Sequence, residues 1–212
     1  MKFKGLQKRW NDLWQQIGSR GFSRENAYNE LVSLYGKSER FYHNFVHIVH
    51  SLREFDNVRH LIENPEQVET ALWYHDAVYD TRAKDNEERS AELARRKLKE
   101  AGLRKEFIEN VTFLILSTKH QAMPKKTYEQ YVVDIDLSIL GKSEKEFNEY
   151  ERDIRDEYAW VSDEQFIQGR SALLQKFLDR NSVYLTDLFR QKYEQQARMN
   201  LETSLAKLKG SN

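Results

Sequence analysis

The amino-acid sequence predicts an all-α protein, and three kinds of observation support that class. Only two prolines occur in 212 residues, and proline is the residue that interrupts helix interiors. Apolar residues recur at spacings of three and four along most of the chain, which is the helical period. Residues typical of helix starts and ends separate these stretches, whereas a β protein would show short alternating runs joined by hairpin turns.

Each predicted helix start carries a side chain that can accept a hydrogen bond from the first backbone amides. Ser, Asn or Asp stands at these starts, and a Glu or Gln three residues later can complete a capping box at four of them. Pro65 suits the first position of one helix. The predicted N-caps are Ser23, Asn64, Asp85, Ser143 and Ser162, and the predicted capping-box partners are Gln67, Glu88, Glu146 and Gln165.

Glycines mark the predicted helix ends, because glycine readily adopts the backbone conformation that terminates a helix. The helix-ending glycines are Gly18, Gly36, Gly102 and Gly141. Residues 131–140, YVVDIDLSIL, have the Val and Ile content of a strand. We interpret them as a buried helix, because they lie among predicted helices and end at a glycine. A long, charged last helix is expected from about Asn181 onward.

Composition and charge exclude several classes of protein. The 34 Lys and Arg residues balance 34 Asp and Glu residues, which removes the simplest electrostatic case for binding a nucleic acid polymer. The absence of cysteine excludes disulfide scaffolds, thiol catalysis and cysteine-ligated metals. No apolar stretch approaches the roughly 20 residues of a membrane span, and charges near the start interrupt any signal peptide. We expect a soluble, cytoplasmic protein.

The chain contains no repeat, low-complexity tract or linker-like segment, so we expect one helical domain over residues 1–212. The residues that carry chemistry fall within 40–140, and the C-terminal helices fall within 143–208. The long, charged last helix would suit a helical partner or a homodimer.

Histidines and aspartates concentrate in a few apolar stretches. His43 and His47 lie four residues apart, so on a helix they would share one face. His75 and Asp76 are adjacent among hydrophobic residues, where burial is unfavourable unless another group satisfies them. A divalent cation would do so, because imidazole nitrogens and carboxylate oxygens are its ligands.

Asp134 and Asp136 pose the same problem inside the apolar run 131–140. For any one of these residues a simpler interpretation exists. A buried His is usually a hydrogen-bonded core residue, and an Asp in an apolar run often accepts hydrogen bonds from backbone amides. The metal interpretation therefore depends on the combination of residues.

Three blocks in this order resemble the HD superfamily of metal-dependent phosphohydrolases. They are YHN..H over residues 42–47, HDAVYD over 75–80 and NEERSA over 86–91. The resemblance implies a helical bundle of the HD-domain type that binds Mn²⁺, Mg²⁺, Fe²⁺, Ni²⁺, Co²⁺ or Zn²⁺. It implies His75, Asp76 and Asp136 as ligands, with Asp134 as the alternative to Asp136. For the remaining histidine, His47 fits the pattern better, and His43 is a second ligand or a substrate contact.

Five further residues are candidates for catalysis or substrate binding. Asp80 follows the aspartate of the doublet by four residues, one helical turn, and could orient a metal-bound water or take its proton. Glu88 is a second catalytic candidate, although a capping-box role is equally compatible with its position. Arg40 is a candidate phosphate clamp, and Lys119 and His120 could hold a phosphate, or His120 a second metal.

The function that the resemblance implies is hydrolysis of a phosphate ester, such as a nucleotide, by a metal-activated water. Its partner would be a small phosphorylated substrate. Two alternatives stay open. One is a non-catalytic scaffold or sensor that keeps the metal for structure or ligand binding, and the other is an HD-type oxygenase with two irons, for which His43, His120 and Glu88 could supply additional ligands.

Overall fold

The structure is a computed structural model that describes residues 4–21, 23–120, 124 and 126–210. The described residues form ten α-helices and two short 3-10 helices without any β-strand, which confirms the all-α prediction. Backbone contacts divide the chain into two compact units, Met1–Val132 and Val133–Asn212. The assignment of residues 1–212 to one domain stays a prediction.

The α-helices are α1 (Lys4–Gln16), α2 (Arg24–Tyr35), α3 (Phe45–Val58), α4 (Pro65–Tyr74), α5 (Asn86–Glu100), α6 (Lys105–Ser117), α7 (Thr127–Asp136), α8 (Glu144–Glu157), α9 (Asp163–Leu178) and α10 (Asp187–Lys209). The 3-10 helices are Arg59–Leu61 and Leu137–Gly141. The segment with strand-like composition is therefore helical, as predicted. None of the described helices combines the length and the apolar composition that crossing a bilayer requires.

An aromatic core organises the first unit around α4. The Trp10 ring centroid lies 5.1 Å from that of Trp14 on the same helix and 5.3 Å from that of Trp73 on α4. From Val68 to Tyr74 every residue of α4 is buried. The residues that follow α4 directly, which are the predicted metal ligands, therefore emerge from the most deeply buried helix of this unit.

Two carboxylates organise the loop before α10 in the second unit. Asp134 accepts hydrogen bonds from the amides of Leu185 and Thr186 at 2.8 Å and from the Thr186 hydroxyl at 2.7 Å. Glu194 accepts them from the amides of Val183 and Tyr184. These bonds hold the backbone in an extended loop, so α10 begins later than the predicted start at about Asn181.

The predicted caps divide into those that form and those that do not. Ser23, Ser143 and Ser162 each accept a hydrogen bond from the backbone amide three residues later, and at Ser143 the full capping box with Glu146 is present. The side chains of Asn64 and Asp85 make no cap hydrogen bond, which corrects those two predictions. Asn64 has a left-handed backbone with φ 55°, and the carboxylate of Glu88 is bound elsewhere.

Candidate metal centre

The end of α4 positions the first candidate metal ligand. His75 is the C-cap of the helix, and only 1% of its surface is exposed. Its Nδ1 lies 3.0 Å from the carbonyl oxygen of Leu72. Because a carbonyl only accepts hydrogen bonds, Nδ1 carries a proton, and Nε2 is the nitrogen that a metal ion would bind. A backbone carbonyl at the far nitrogen is the usual arrangement for a metal-binding histidine.

His47 reaches the same place from the first turn of α3. The Asn44 side chain caps this helix by accepting a hydrogen bond from the amide of Val46 at 2.7 Å. The helix therefore begins at Phe45, and the buried side chain of His47 directs Nε2 to within 2.9 Å of His75 Nε2.

Asp76 completes a triangle of ligand atoms. Its Oδ2 lies 3.2 Å from Nε2 of His75 and 3.4 Å from Nε2 of His47. Two ligand atoms at right angles, each about 2.1 Å from a metal ion, are about 3.0 Å apart. The three atoms are therefore spaced as neighbouring ligands of one metal ion.

Asp136, the last residue of α7, belongs to the second unit, and its role as a fourth ligand stays a prediction. Within the first unit, one ligand atom each of His47, His75 and Asp76 lies within 4.8 Å of the others. This group can hold a divalent cation, and its mixture of imidazole and carboxylate ligands suits several transition metals as well as zinc.

The charge state of Asp76 agrees with a ligand role. Burial by itself raises the pKa of Asp76, but the adjacent His75, through its charge and a hydrogen bond, and the charges of His43 and His47 outweigh it. The net result is a pKa below the usual value for an aspartate. Asp76 is therefore an anion at neutral pH, which is the form that binds metal ions.

His43 lies beside this group and is not part of it. The prediction that it shares a helical face with His47 is wrong, because α3 begins two residues after it. Its ring stacks on Tyr79 with centroids 4.0 Å apart and planes 25° from parallel. The ligand group contains His47 instead, as the sequence pattern favours.

Asp134 has a different environment from Asp136. Its carboxylate is fully buried and accepts the three hydrogen bonds from the loop before α10 described above. These donors come from the backbone and a hydroxyl, so Asp134 holds a loop in place and does not belong to the ligand group.

Asp80 does not lie on a helix with Asp76, so the predicted spacing of one helical turn is wrong. Because α4 ends at Tyr74, Asp80 is not one helical turn beyond Asp76. Its exposed carboxylate accepts a hydrogen bond from the amide of Arg82 at 2.9 Å. A role for Asp80 in proton transfer stays a prediction without that geometric support.

Glu88 and Lys119 form an ion pair with each other. The Lys119 ammonium forms an ion pair with the Glu88 carboxylate and also donates to the carbonyl oxygen of Lys84 at 3.1 Å. The pair raises the pKa of Lys119 and lowers that of Glu88. His120, the other substrate candidate in this region, follows α6 with a left-handed backbone at φ 54°. None of these three is in the ligand group.

Arg40 makes contacts unlike those of a phosphate clamp. Its Nη1 donates to the carbonyl oxygens of His43 at 3.1 Å and Asp76 at 2.7 Å, and its Nη2 donates to that of Ala77 at 3.0 Å. These bonds support the backbone around the ligand group, and a role for Arg40 in substrate binding stays a prediction without support from its contacts.

Two residues of the NEERSA block hold the segment after Asp76, and the sequence did not single them out. Asn86 accepts from the amide of Asp80 at 3.0 Å and donates to its carbonyl at 2.9 Å. Ser90 makes the same two-way contact with Val78 at 3.0 and 3.1 Å. The spacing of four between Asn86 and Ser90, on one face of α5, is the signal that could have indicated this role.

Comparisons with models of protein families, with curated proteins and with solved structures gave no match.

Proposed function

We propose that the protein is a metal-dependent phosphohydrolase that acts on a small phosphate ester, such as a nucleotide. The observation that carries this proposal is the triangle formed by Nε2 of His47, Nε2 of His75 and Oδ2 of Asp76, with sides of 2.9, 3.2 and 3.4 Å. The resemblance of the sequence to the HD superfamily supports the reaction type.

The side chains of the group are prepared to bind a cation and an anionic substrate together. The carbonyl oxygen of Leu72 accepts the Nδ1 hydrogen of His75, which leaves Nε2 for a cation, and Asp76 is ionised at neutral pH because its pKa is lowered. A bound divalent cation would polarise a phosphoryl oxygen and lower the pKa of a water molecule. Four protein ligands leave two positions of a six-coordinate ion for these oxygens.

An iron-dependent oxygenase is the second candidate function. Two histidines and one carboxylate on one face of an ion are the ligand set of many non-haem iron oxygenases. The chain presents such a set in His47, His75 and Asp76, so iron belongs among the metals to be tested.

The experiment is a phosphatase screen on protein purified without added metal. The chain is supplied in turn with Mn²⁺, Mg²⁺, Fe²⁺, Ni²⁺, Co²⁺ and Zn²⁺, and is assayed against mononucleotides and generic phosphate esters. We expect turnover that needs one of these metals and that falls more than about 100-fold in Asp76→Asn, since even residues that only support a metal ligand contribute 10–100-fold.

The matched control is Glu92→Gln, which removes a carboxylate on α5 whose side chain is 72% exposed. It should keep wild-type turnover. Absence of hydrolysis with all six metals, or equal activity in Asp76→Asn and wild type, would contradict the proposed function. Oxygen consumption with Fe²⁺ in place of phosphate release would favour the oxygenase.

A further inference from the structure

Arg40 is a buried cation whose hydrogen-bond partners, among the described residues, are backbone carbonyl oxygens. The residue is 5% exposed. Besides its bonds to the carbonyls of His43, Asp76 and Ala77, its guanidinium carbon lies 5.2 Å from the ring centroid of Tyr35 and 5.6 Å from that of Tyr79. Burying a charge is unfavourable, so the neighbouring carbonyl dipoles and aromatic faces replace the water that the guanidinium loses.

These contacts join two segments that flank the metal centre. His43 precedes the helix that carries His47, and Asp76 and Ala77 follow α4. The guanidinium is planar and presents its N–H groups in a fixed fork. It therefore sets the directions of the carbonyls that it binds, and with them the backbone from which the Asp76 carboxylate projects.

We infer that Arg40 is a positioning residue for the metal centre. It holds the main chain at Asp76 so that the carboxylate stays beside Nε2 of His47 and Nε2 of His75. This inference rests on the metal-binding part of the proposed function and is independent of the reaction. It requires the fork of an arginine and not merely a positive charge.

The second unit offers a matched control. Arg198 on α10 also donates to three backbone carbonyls, those of Leu178 at 3.2 Å, Arg180 at 2.9 Å and Asn181 at 3.0 Å, and in addition its Nε donates to the Glu194 carboxylate at 2.8 Å. Removing its guanidinium takes away a comparable set of bonds at a position that supports no residue of the ligand group. A general loss of structure would affect both arginine variants alike.

The test is calorimetric titration of the full-length chain with Mn²⁺, comparing wild type, Arg40→Met, Arg40→Lys and Arg198→Met. We expect Arg40→Met to weaken Mn²⁺ binding by about 10–100-fold, the usual range for a residue that orients a metal ligand. Arg40→Lys should weaken it about tenfold, because one ammonium cannot span the three carbonyls. Arg198→Met should stay within twofold of wild type, and circular dichroism checks that each variant is helical.

A second readout is the visible spectrum of bound Co²⁺, which should differ between wild type and Arg40→Lys because the ligand geometry changes. If Arg40→Met does not fold, Arg40→Lys decides the question. Mn²⁺ binding by Arg40→Lys within twofold of wild type, or an equal loss in Arg198→Met and Arg40→Met, would overturn the inference while leaving the metal site intact. A wild-type chain that binds no Mn²⁺ would overturn both.

Discussion

Asp76 and Asp134 are both aspartates in apolar stretches, and the structure gives them opposite environments. Asp134 accepts hydrogen bonds from two amides and a hydroxyl. The Asp76 carboxylate instead lies beside the Nε2 atoms of two imidazoles, and the carbonyl oxygen of Leu72 occupies the other nitrogen of one of them. A buried carboxylate that accepts hydrogen bonds from backbone amides and a hydroxyl holds a fold together, whereas a carboxylate beside two imidazole nitrogens is suited to share a cation with them.

The largest effect on stability is expected at Asp134. Asp134→Ala leaves the amides of Leu185 and Thr186 and the Thr186 hydroxyl without their acceptor, so we expect the free energy of unfolding to fall by about 3–5 kcal/mol. Urea denaturation measures this change. Asp12→Ala, which removes an exposed carboxylate that pairs with Lys8, should stay within about 0.5 kcal/mol of wild type. A loss below 1 kcal/mol in Asp134→Ala would contradict the structural role that we assign to Asp134.

Asp76 should instead make the stability of the chain depend on the metal ion. At a free Mn²⁺ concentration 100 times the dissociation constant, binding should add about 2.7 kcal/mol to the free energy of unfolding of the wild-type chain. Asp76→Asn should show no such gain, since it lacks the anionic ligand. Thermal unfolding with and without Mn²⁺ measures both. An equal gain in the two proteins would place the cation elsewhere.

Glu194 is, like Asp134, a carboxylate that holds the loop before α10. Its contribution to stability should depend on pH. Burial raises the pKa of Glu194. Hydrogen bonds from Val183, Ser182 and Tyr184, together with the charge of Arg198, lower it by a larger amount, so the net pKa is below the usual value. The ionised form therefore stabilises the folded chain above the ordinary glutamate pKa, and this contribution disappears as the pH falls through the lowered value.

Glu194→Gln should accordingly reduce the free energy of unfolding by about 2 kcal/mol at pH 7, the usual contribution of hydrogen bonds to a charged group. The difference from wild type should shrink as the pH falls below the ordinary glutamate pKa, and urea denaturation at several pH values measures it. A difference that is constant down to acidic pH would show that ionisation of Glu194 does not matter.

The smallest effect is expected at Ser90, which supports the segment after Asp76. Ser90→Ala removes the partner of the Val78 amide and should lower the free energy of unfolding by about 1 kcal/mol. Because Val78 lies two residues after the proposed ligand Asp76, Ser90 acts on that ligand only through the backbone, so Mn²⁺ affinity should fall only a few-fold. Calorimetry and urea denaturation test the two expectations, and an unchanged stability would contradict them.

Much of the fold could be predicted because its signals are local. The serine caps at Ser23, Ser143 and Ser162 act on amides three residues away, so the sequence contains both partners. The end of α4 at Tyr74 could not be found in this way. The backbone after it is held by Arg40, Asn86 and Ser90, which only the folded chain brings to it.

The candidate site shows the same division. The doublet of His75 and Asp76 is visible in the sequence as adjacent polar residues in an apolar stretch. The choice of His47 over His43 depends on where α3 begins, and the Asn44 cap decides it. The role of Asp134 depends on a loop about 50 positions away along the chain, so the sequence could not separate it from Asp136.

The most direct test of the account is a crystal structure of the chain loaded with Mn²⁺, with anomalous diffraction to locate the metal. The account predicts one strong anomalous peak about 2.0–2.2 Å from Nε2 of His47, Nε2 of His75 and a carboxylate oxygen of Asp76. A peak bound by other residues, or no peak at saturating Mn²⁺, would contradict it.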